Sequence, residues 1–278
     1  MQLKHLRSLL FVPATSPHLL AKAGQRGADA LIVDLEDSVP IDRKVDARVM
    51  AAAAIEQLAG QVPVLVRVNS EPDLLRADVD ALPLAKVQGV LLPKVESAAQ
   101  VVGLMEILGR RGGASMPVAA LIETPLGVLR AEAIATAHPA LCALGFGAED
   151  HAAQLLVEPI PESLLWAAQA VINCARAFDL AAWGLPGSVA EIDDMQAFGQ
   201  LVRLARGIGF SGTVCIHPRQ VAVANSGFAP TPQQLDWARK VVAADEQARG
   251  QGRGAVTLDG RMIDRPIVAR ARHWLERA

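Results

Sequence analysis

The chain runs to 278 residues, 51% hydrophobic and 20% charged, with a formal net charge of −2; that is enough to bury a large core, as two ordinary domains or one large α/β barrel. The near-neutral balance gives no reason to expect nucleic acid or an acidic membrane surface as partner, and no run approaches the roughly 20 apolar residues of a membrane span. Cys142, Cys174 and Cys215 lie far apart, cannot all pair and lack metal-ligand spacing, so they read as small buried hydrophobes.

The N-terminus "MQLKHLRSLLFVPAT" has no small-residue cleavage pattern, so "SLLFVP" is expected to be a first strand of a soluble cytoplasmic protein, not part of a signal peptide. Next, "SPHLLAKAGQRGA" has Ser16 as N-cap, Pro17 at the first helical position and a glycine stop. "ALIVDL" is the second apolar run, followed by an Ala run at 51 to 54 that fits a helix. "VPVLVRV" and "GVLLPK" follow, then a helix over "ESAAQVVGLMEILGRRGG". "MPVAALIE", "LCALGFG", the helical "PESLLWAAQAVINCARAFDL", "LAAWGLP", the helical "DDMQAFGQLVRLARGIGF" and "TVCIHP" complete the series. The eight short runs are rich in Val, Leu and Ile without polar alternation, as strands buried on both faces of a parallel sheet require. Their alternation with helices predicts a (β/α)₈ TIM barrel over residues 1–225. No G-x-G-x-x-G follows the first strand, and "GFGAED" comes after the sixth without that spacing, which counts against a dinucleotide fold. Residues 226–278 read as helix, a mobile Gly-rich loop "RGQGRGA", a short strand or turn, and a helix: a C-terminal cap or lid over the barrel mouth of its own or a neighbouring subunit.

Barrel enzymes carry their chemistry where the strands end. Those ends offer Asp34, Glu36 and Asp37, then Arg67 and Asn69, Lys94 and Glu96, Glu123, Glu149 and Asp150, and His217. Each has a structural alternative. Asp34 could only orient its neighbours, and Glu36, Asp37 or Glu123 could only cap the next helix. Arg67 needs an anion, either substrate or an internal partner, and Lys94 could be a barrel salt bridge. Asp150 follows two glycines that let a ligand come close. His217 before a proline reads as structural, and His151 is open. Carboxylates outnumber histidines and no cysteine lies on the rim. That favours a hard cation with oxygen ligands, Mg²⁺ first and Mn²⁺ as the alternative, and argues against zinc. A metal beside an arginine suits chemistry through an enolate, such as C–C cleavage next to a carbonyl.

In order, "RSLLFVPA", "ADALIVDLEDSVPIDRKVDAR", "VRVN", "LLPKVES", "IETPLGV", "LGFGAEDHAAQL", "GFSGTVCIHPRQV" and "GRMIDRPIVARAR" span nearly the whole chain. The set resembles the citrate lyase beta-subunit-like enzymes of the HpcH/HpaI aldolase group, with the malyl-CoA and citramalyl-CoA lyases. The resemblance implies a Mg²⁺-dependent TIM barrel, usually a homo-oligomer (trimer or hexamer). It would cleave or form a 3-hydroxyacyl thioester such as malyl-CoA, citramalyl-CoA or citryl-CoA, giving acetyl-CoA and a 2-oxo acid by a retro-Claisen enolate route. By matching motifs, Glu123 and Asp150 would bind Mg²⁺, with Glu123 also on the substrate side, and Arg67 would bind substrate and enolate. Glu36 and Asp37 would hold waters bound to the metal, and Asp264 would be a catalytic acid/base from the neighbouring subunit. The chain departs from the pattern at Thr213, where many relatives carry Lys, at His151, in "WGLPGSVAEIDD", and at Phe11 in a chain without Tyr. These departures bear on the acyl group and the CoA contacts more than on the metal site. Alternatives are an aldolase on free 2-oxo acids, a citrate lyase beta subunit served by an acyl carrier protein, and a thioesterase side activity.

Overall fold

The computed structural model describes residues 3–250 and 255–277. The chain divides into two compact units, Met1–Phe228 and Ala229–Ala278. The division falls three residues beyond the boundary at 225 drawn from sequence. The helix Pro218–Phe228 carries the chain on, burying Val221, Ala224 and Phe228 in the core of the first unit.

All eight apolar runs form strands: β1 (Ser8–Pro13), β2 (Ala30–Asp34), β3 (Val64–Arg67), β4 (Gly89–Leu92), β5 (Val118–Ile122), β6 (Leu141–Phe146), β7 (Ala181–Gly184) and β8 (Thr213–Cys215). Every pairing in this sheet is parallel, and neighbours follow chain order from β1 to β7, with β8 beside β1. Between β7 and β8 the barrel closes on one bridge, Trp183 to Gly212, with the Gly184 N–H donating to the Gly212 carbonyl at 2.9 Å. This is a TIM barrel.

Burial on both sheet faces explains the unbroken apolar runs. Leu31 and Val33 face outward into the layer beneath the helices, while Ile32 between them faces the lumen with Leu9, Leu65, Leu91, Leu121 and Trp183. The helices end where local chemistry stops them. Ser97 opens Ala98–Arg110 in a capping box, its N–H donating to the Gln100 Oε1 at 3.0 Å. Asp194 caps Met195–Ile208, which ends at Gly209 with φ +119°. Ser16 and Pro17 do open the first helix, though the Ser16 hydroxyl makes no capping bond. Three short helices were not legible in sequence: Pro125–Leu129 and Ala131–Ala135 after β5, and Ala148–Leu155 after β6.

The second unit pairs the helix Pro232–Gly250 with the helix Arg265–Leu275 around Ala238, Val241, Val268 and Ala271. An antiparallel hairpin, β9 (Val256–Leu258) and β10 (Arg261–Ile263), stands where a short strand or turn was expected. The loop expected to be mobile, "RGQGRGA", lies mostly outside the described residues. Among those described, no helix is long and apolar enough to cross a membrane.

Candidate active site

The exits of β2, β3 and β4 build one closed ionic network. Asp34 ends β2 at 2% exposure, and its carboxylate accepts the backbone N–H of Glu36 at 3.0 Å and of Ser38 at 3.2 Å, which turns the chain. Register places Asp34 beside Arg67 of β3, and the two meet as a fork: Nε to Oδ1 at 2.7 Å and Nη2 to Oδ2 at 2.8 Å. Burial pushes the Asp34 carboxyl up, but the bonds and charge of Arg67 outweigh it and hold the pKa below the usual range. Arg67 Nη1 lies 3.1 Å from Glu36, and the guanidinium stacks over Phe11 at 4.6 Å. The Lys94 ammonium, from the exit of β4, meets Glu36 at 2.5 Å and Asp37 at 3.0 Å. Burial pulls both cations' pKa values down, and their carboxylate partners more than reverse it. Glu36 is raised, chiefly by burial; Asp37 is lowered because bonds from Glu36 and Lys94 outweigh burial. Buried Lys44 pins the loop by donating to the carbonyls of Leu35 at 2.7 Å and Glu36 at 2.8 Å. Glu36 and Asp37 therefore cap no helix. Asn69 is structural, tying Asp78 to the Leu35 carbonyl.

The exits of β5 and β6 are different. Glu123 is 4% exposed, and burial, with repulsion from Asp150 added, pushes its carboxyl up to about 7. Against this stand a backbone bond and the field of Arg67: the Lys94 N–H donates to Oε2 at 2.9 Å. That N–H points to Glu123 because Lys94 adopts φ +53°, a left-handed conformation unusual for lysine. Gly147 makes the room: a Cβ there would lie 2.6 Å from Glu123 Oε1. Thr124, not Glu123, caps the next helix, accepting the Gly127 N–H at 2.9 Å. Glu149 and Asp150 lie in the first turn of Ala148–Leu155, where the Ser188 hydroxyl donates to Glu149. His151 is buried against Phe146, 5.3 Å between ring centroids; burial lowers its pKa against a bond to the Thr124 backbone. His217 is structural: its Nδ1 accepts the Arg219 N–H at 3.2 Å.

A cavity of about 280 Å³ opens at these strand ends. Each of the eight strands contributes to its wall, among them Phe11, Ile32, Arg67, Leu91, Leu121, Phe146, Trp183 and Val214, and Glu123 and Asp150 line it too. A shallower opening on Lys94, Glu96 and Thr124 shares Asp150. Among the described residues no three His, Cys, Asp or Glu side chains stand close enough to hold a metal. A hard cation here would take two carboxylates at most and fill its shell with water or substrate oxygens, which is how Mg²⁺ is usually held. Buried Glu123, under repulsion from Asp150, fits that demand.

The HpcH/HpaI aldolase/citrate lyase family model matches residues 7–218. The chain belongs to this family. It is a carbon–carbon lyase by that membership. It is 36% identical to the citrate lyase subunit beta of Haemophilus influenzae, covering 99% of this chain and 98% of that protein. It is 33% identical to a (3S)-malyl-CoA thioesterase of Cereibacter sphaeroides, covering 98% of this chain and 94% of that protein. Among solved structures it resembles the protein CitE of Mycobacterium tuberculosis in complex with magnesium, acetoacetate and coenzyme A. That match has a TM-score of 0.81 and 32% identity, over 100% of this chain and 99% of that one.

Of the residues singled out from sequence, Glu36, Asp37 and Arg67 are in ionic contact, and Arg67, Glu123 and Asp150 line one cavity. Asp264 belongs to the second unit, where its carboxylate caps the last helix and accepts the Ile267 N–H at 3.4 Å. Sequence reasoning missed Lys44, the φ of Lys94 and the place of Trp183. A lysine gives no sign of a left-handed backbone. The only signal for Trp183 was a large ring at the end of a short apolar run.

Proposed function

We propose that the protein is a Mg²⁺-dependent lyase that cleaves or forms a 3-hydroxyacyl-CoA thioester, yielding acetyl-CoA and a 2-oxo acid through a thioester enolate. The observation that carries this reading is the pairing, in one cavity, of a fixed guanidinium with two carboxylates, Glu123 and Asp150, that form no ion pair among the described residues. Glu123 and Asp150 would hold the ion, Mg²⁺ or in its place Mn²⁺, which would supply electrostatic stabilisation to negative charge on the substrate. The hydroxyl proton passes through water to solvent, the hydroxyl carbon becomes the carbonyl of the 2-oxo acid, and the electrons of the breaking C–C bond pass into the thioester enolate. Arg67, oriented by Asp34 and Glu36, keeps N–H groups for the enolate oxygen. Glu36 and Asp37 hold Arg67 and Lys94 in place and offer acceptors to ordered water. Asp264, from a neighbouring subunit of a homo-oligomer, returns a proton to the enolate carbon.

A second reading has the acyl group on an acyl carrier protein rather than CoA; identity to a citrate lyase beta subunit favours it. Thioester hydrolysis would be a side activity, in keeping with the thioesterase relative. The test is release of oxo acid from malyl-, citramalyl- and citryl-CoA with Mg²⁺, alongside Glu123→Ala and Asp264→Asn. Release from one thioester, abolished by EDTA and in both variants, is expected. No release from any, with Mg²⁺ still bound, would move the assignment to the carrier-bound form or to an aldolase on free 2-oxo acids.

A further inference from the structure

We infer that Gln100, which lines neither opening, is a positioning residue for the metal side of the mouth: it fixes the Lys94 peptide, and that peptide sets which oxygen of Glu123 is left for a cation. The inference rests on the reading of Glu123 as a metal ligand and adds a residue to it. It starts from a misfit in the barrel ladder. β4 and β5 pair one for one, Val90 with Val118 and Leu92 with Ala120, and the Val90 N–H donates to the Pro117 carbonyl at 2.9 Å. Continued in step, the residue that meets the Leu121 carbonyl is Lys94. Val95 meets it instead, at 3.0 Å. Lys94 is thus one residue too many for the ladder, and it is taken up as a bulge at φ +53°. Its N–H, released from the ladder, donates to Glu123 Oε2 at 2.9 Å. Oε1 lies against Gly147, where a Cβ would come within 2.6 Å of it, and among the described residues no hydrogen bond reaches it. A non-glycine residue in the left-handed region is strained and persists only where its surroundings hold it.

Gln100 supplies the hold from the first turn of the helix Ala98–Arg110. Its Oε1 accepts two backbone N–H groups, of Glu96 at 2.8 Å and of Ser97 at 3.0 Å. That occupies the oxygen and turns the amide nitrogen the other way, where Nε2 donates to the Lys94 carbonyl at 3.2 Å. The capping box needs only the oxygen; the bond from nitrogen is additional, and it lands on the left-handed residue. The exit of β8 shows the contrast. There Gln220 Oε1 accepts the N–H groups of Ile216 at 2.8 Å and His217 at 3.1 Å, but its nitrogen donates to the Val189 and Glu191 carbonyls of another loop. No residue from Ile216 to Gln220 is left-handed. The rest of the β4 exit is fixed from outside: Gly127 leaves room for the Val95 carbonyl, which a Cβ would meet at 2.6 Å, and Arg130 reaches the Glu96 carbonyl at 3.4 Å. Lys94 is therefore held at three points. Its ammonium lies on Glu36 and Asp37, its N–H on Glu123, and its carbonyl on Gln100.

Hydrogen exchange at the Lys94 amide, in metal-free protein labelled at its lysine amides, reads the peptide; calorimetry with Mg²⁺ reads the ion. Gln100→Met keeps the length of the side chain and removes its donor. Exchange at the Lys94 amide should quicken by about ten-fold or more, and Mg²⁺ affinity should fall by about ten-fold. Ser97→Ala weakens the same helix cap without touching the Lys94 carbonyl, so it should lower stability and leave both readouts unchanged. A folded Gln100→Met with wild-type exchange and wild-type Mg²⁺ affinity overturns the inference, and so does a change in either readout without the other. If that variant does not fold, Gln100→Glu decides: it keeps an oxygen for the cap and loses the donor, so exchange at Lys94 must still quicken, and a protected amide overturns the inference. Glu123→Ala separates the two readings. Mg²⁺ affinity lost in Glu123→Ala but kept in Gln100→Met removes this inference alone; wild-type protein that binds Mg²⁺ no better than Glu123→Ala removes the metal reading beneath it.

Discussion

The two sides of the barrel mouth hold the same kinds of group and treat them in opposite ways. At the exits of β2, β3 and β4, three carboxylates and two cations pair with one another through contacts of 2.5–3.6 Å, so that every carboxylate has a cation beside it. At the exits of β5 and β6, Glu123 and Asp150 repel each other, and burial pushes the Glu123 carboxyl up to about 7. The first side is complete as folded, so it can hold a guanidinium rigidly where charge develops. The second side is left with negative charge in a poorly solvated place, so it favours a proton or a cation from outside. Rigidity and affinity come from the same residue types, separated only by who their neighbours are.

The hardest way to break this contrast is to remove the cation of the complete side. Arg67→Ala leaves Asp34 and Glu36 buried without their partner, and should cost about 3–5 kcal/mol of stability in metal-free urea unfolding. A loss below about 1 kcal/mol would mean that the network is not closed. On the open side, Glu123→Ala should lower kcat/KM by about 10²–10³-fold and weaken Mg²⁺ binding by calorimetry. Its metal-free stability at neutral pH should hold or rise, since a buried repulsion is removed.

A pH series sharpens the same point. The folded pKa of Glu123 is raised from 4.5 to about 7, so the unfolded chain gives up this proton first as pH rises. Its stabilising contribution is full below pH 4.5 and lost as pH rises through about 7. Metal-free wild-type protein should therefore lose about 2–3 kcal/mol relative to Glu123→Gln across that window, and saturating Mg²⁺ should erase the difference. Asp34 has the opposite sign: its pKa is lowered, so its contribution is present at neutral pH and lost on acidification. The smallest effect is expected for Lys94→Met. Its ammonium is 39% exposed and screened, so stability should fall by only about 1 kcal/mol, with Glu36 titrating still higher by NMR.

Much of this molecule was readable before it was folded. A strand buried on both faces must be apolar throughout, so eight such runs, six of them ending abruptly in charge or glycine, announced a parallel barrel and marked Asp34, Glu36, Arg67, Glu123 and Asp150 as rim residues. The one helix start read from its cap, Ser16 before Pro17, begins where expected but without a bond from the hydroxyl, whereas the caps at Ser97 and Asp194 came only with the structure.

What the chain could not disclose is which rim carboxylate has a partner. Asp34 meets Arg67 across 33 residues because strand register sets them side by side, and Glu36 meets Lys94 across 58 from the loops that leave β2 and β4, on either side of β3. The rise in Glu123 belongs to the closed lumen, which removes water from a group that sequence can only show as a glutamate. Composition and periodicity decided the barrel and where its chemistry could lie; desolvation and cross-strand register, which exist only in the tertiary structure, decided which charges are settled and which still need a counter-ion.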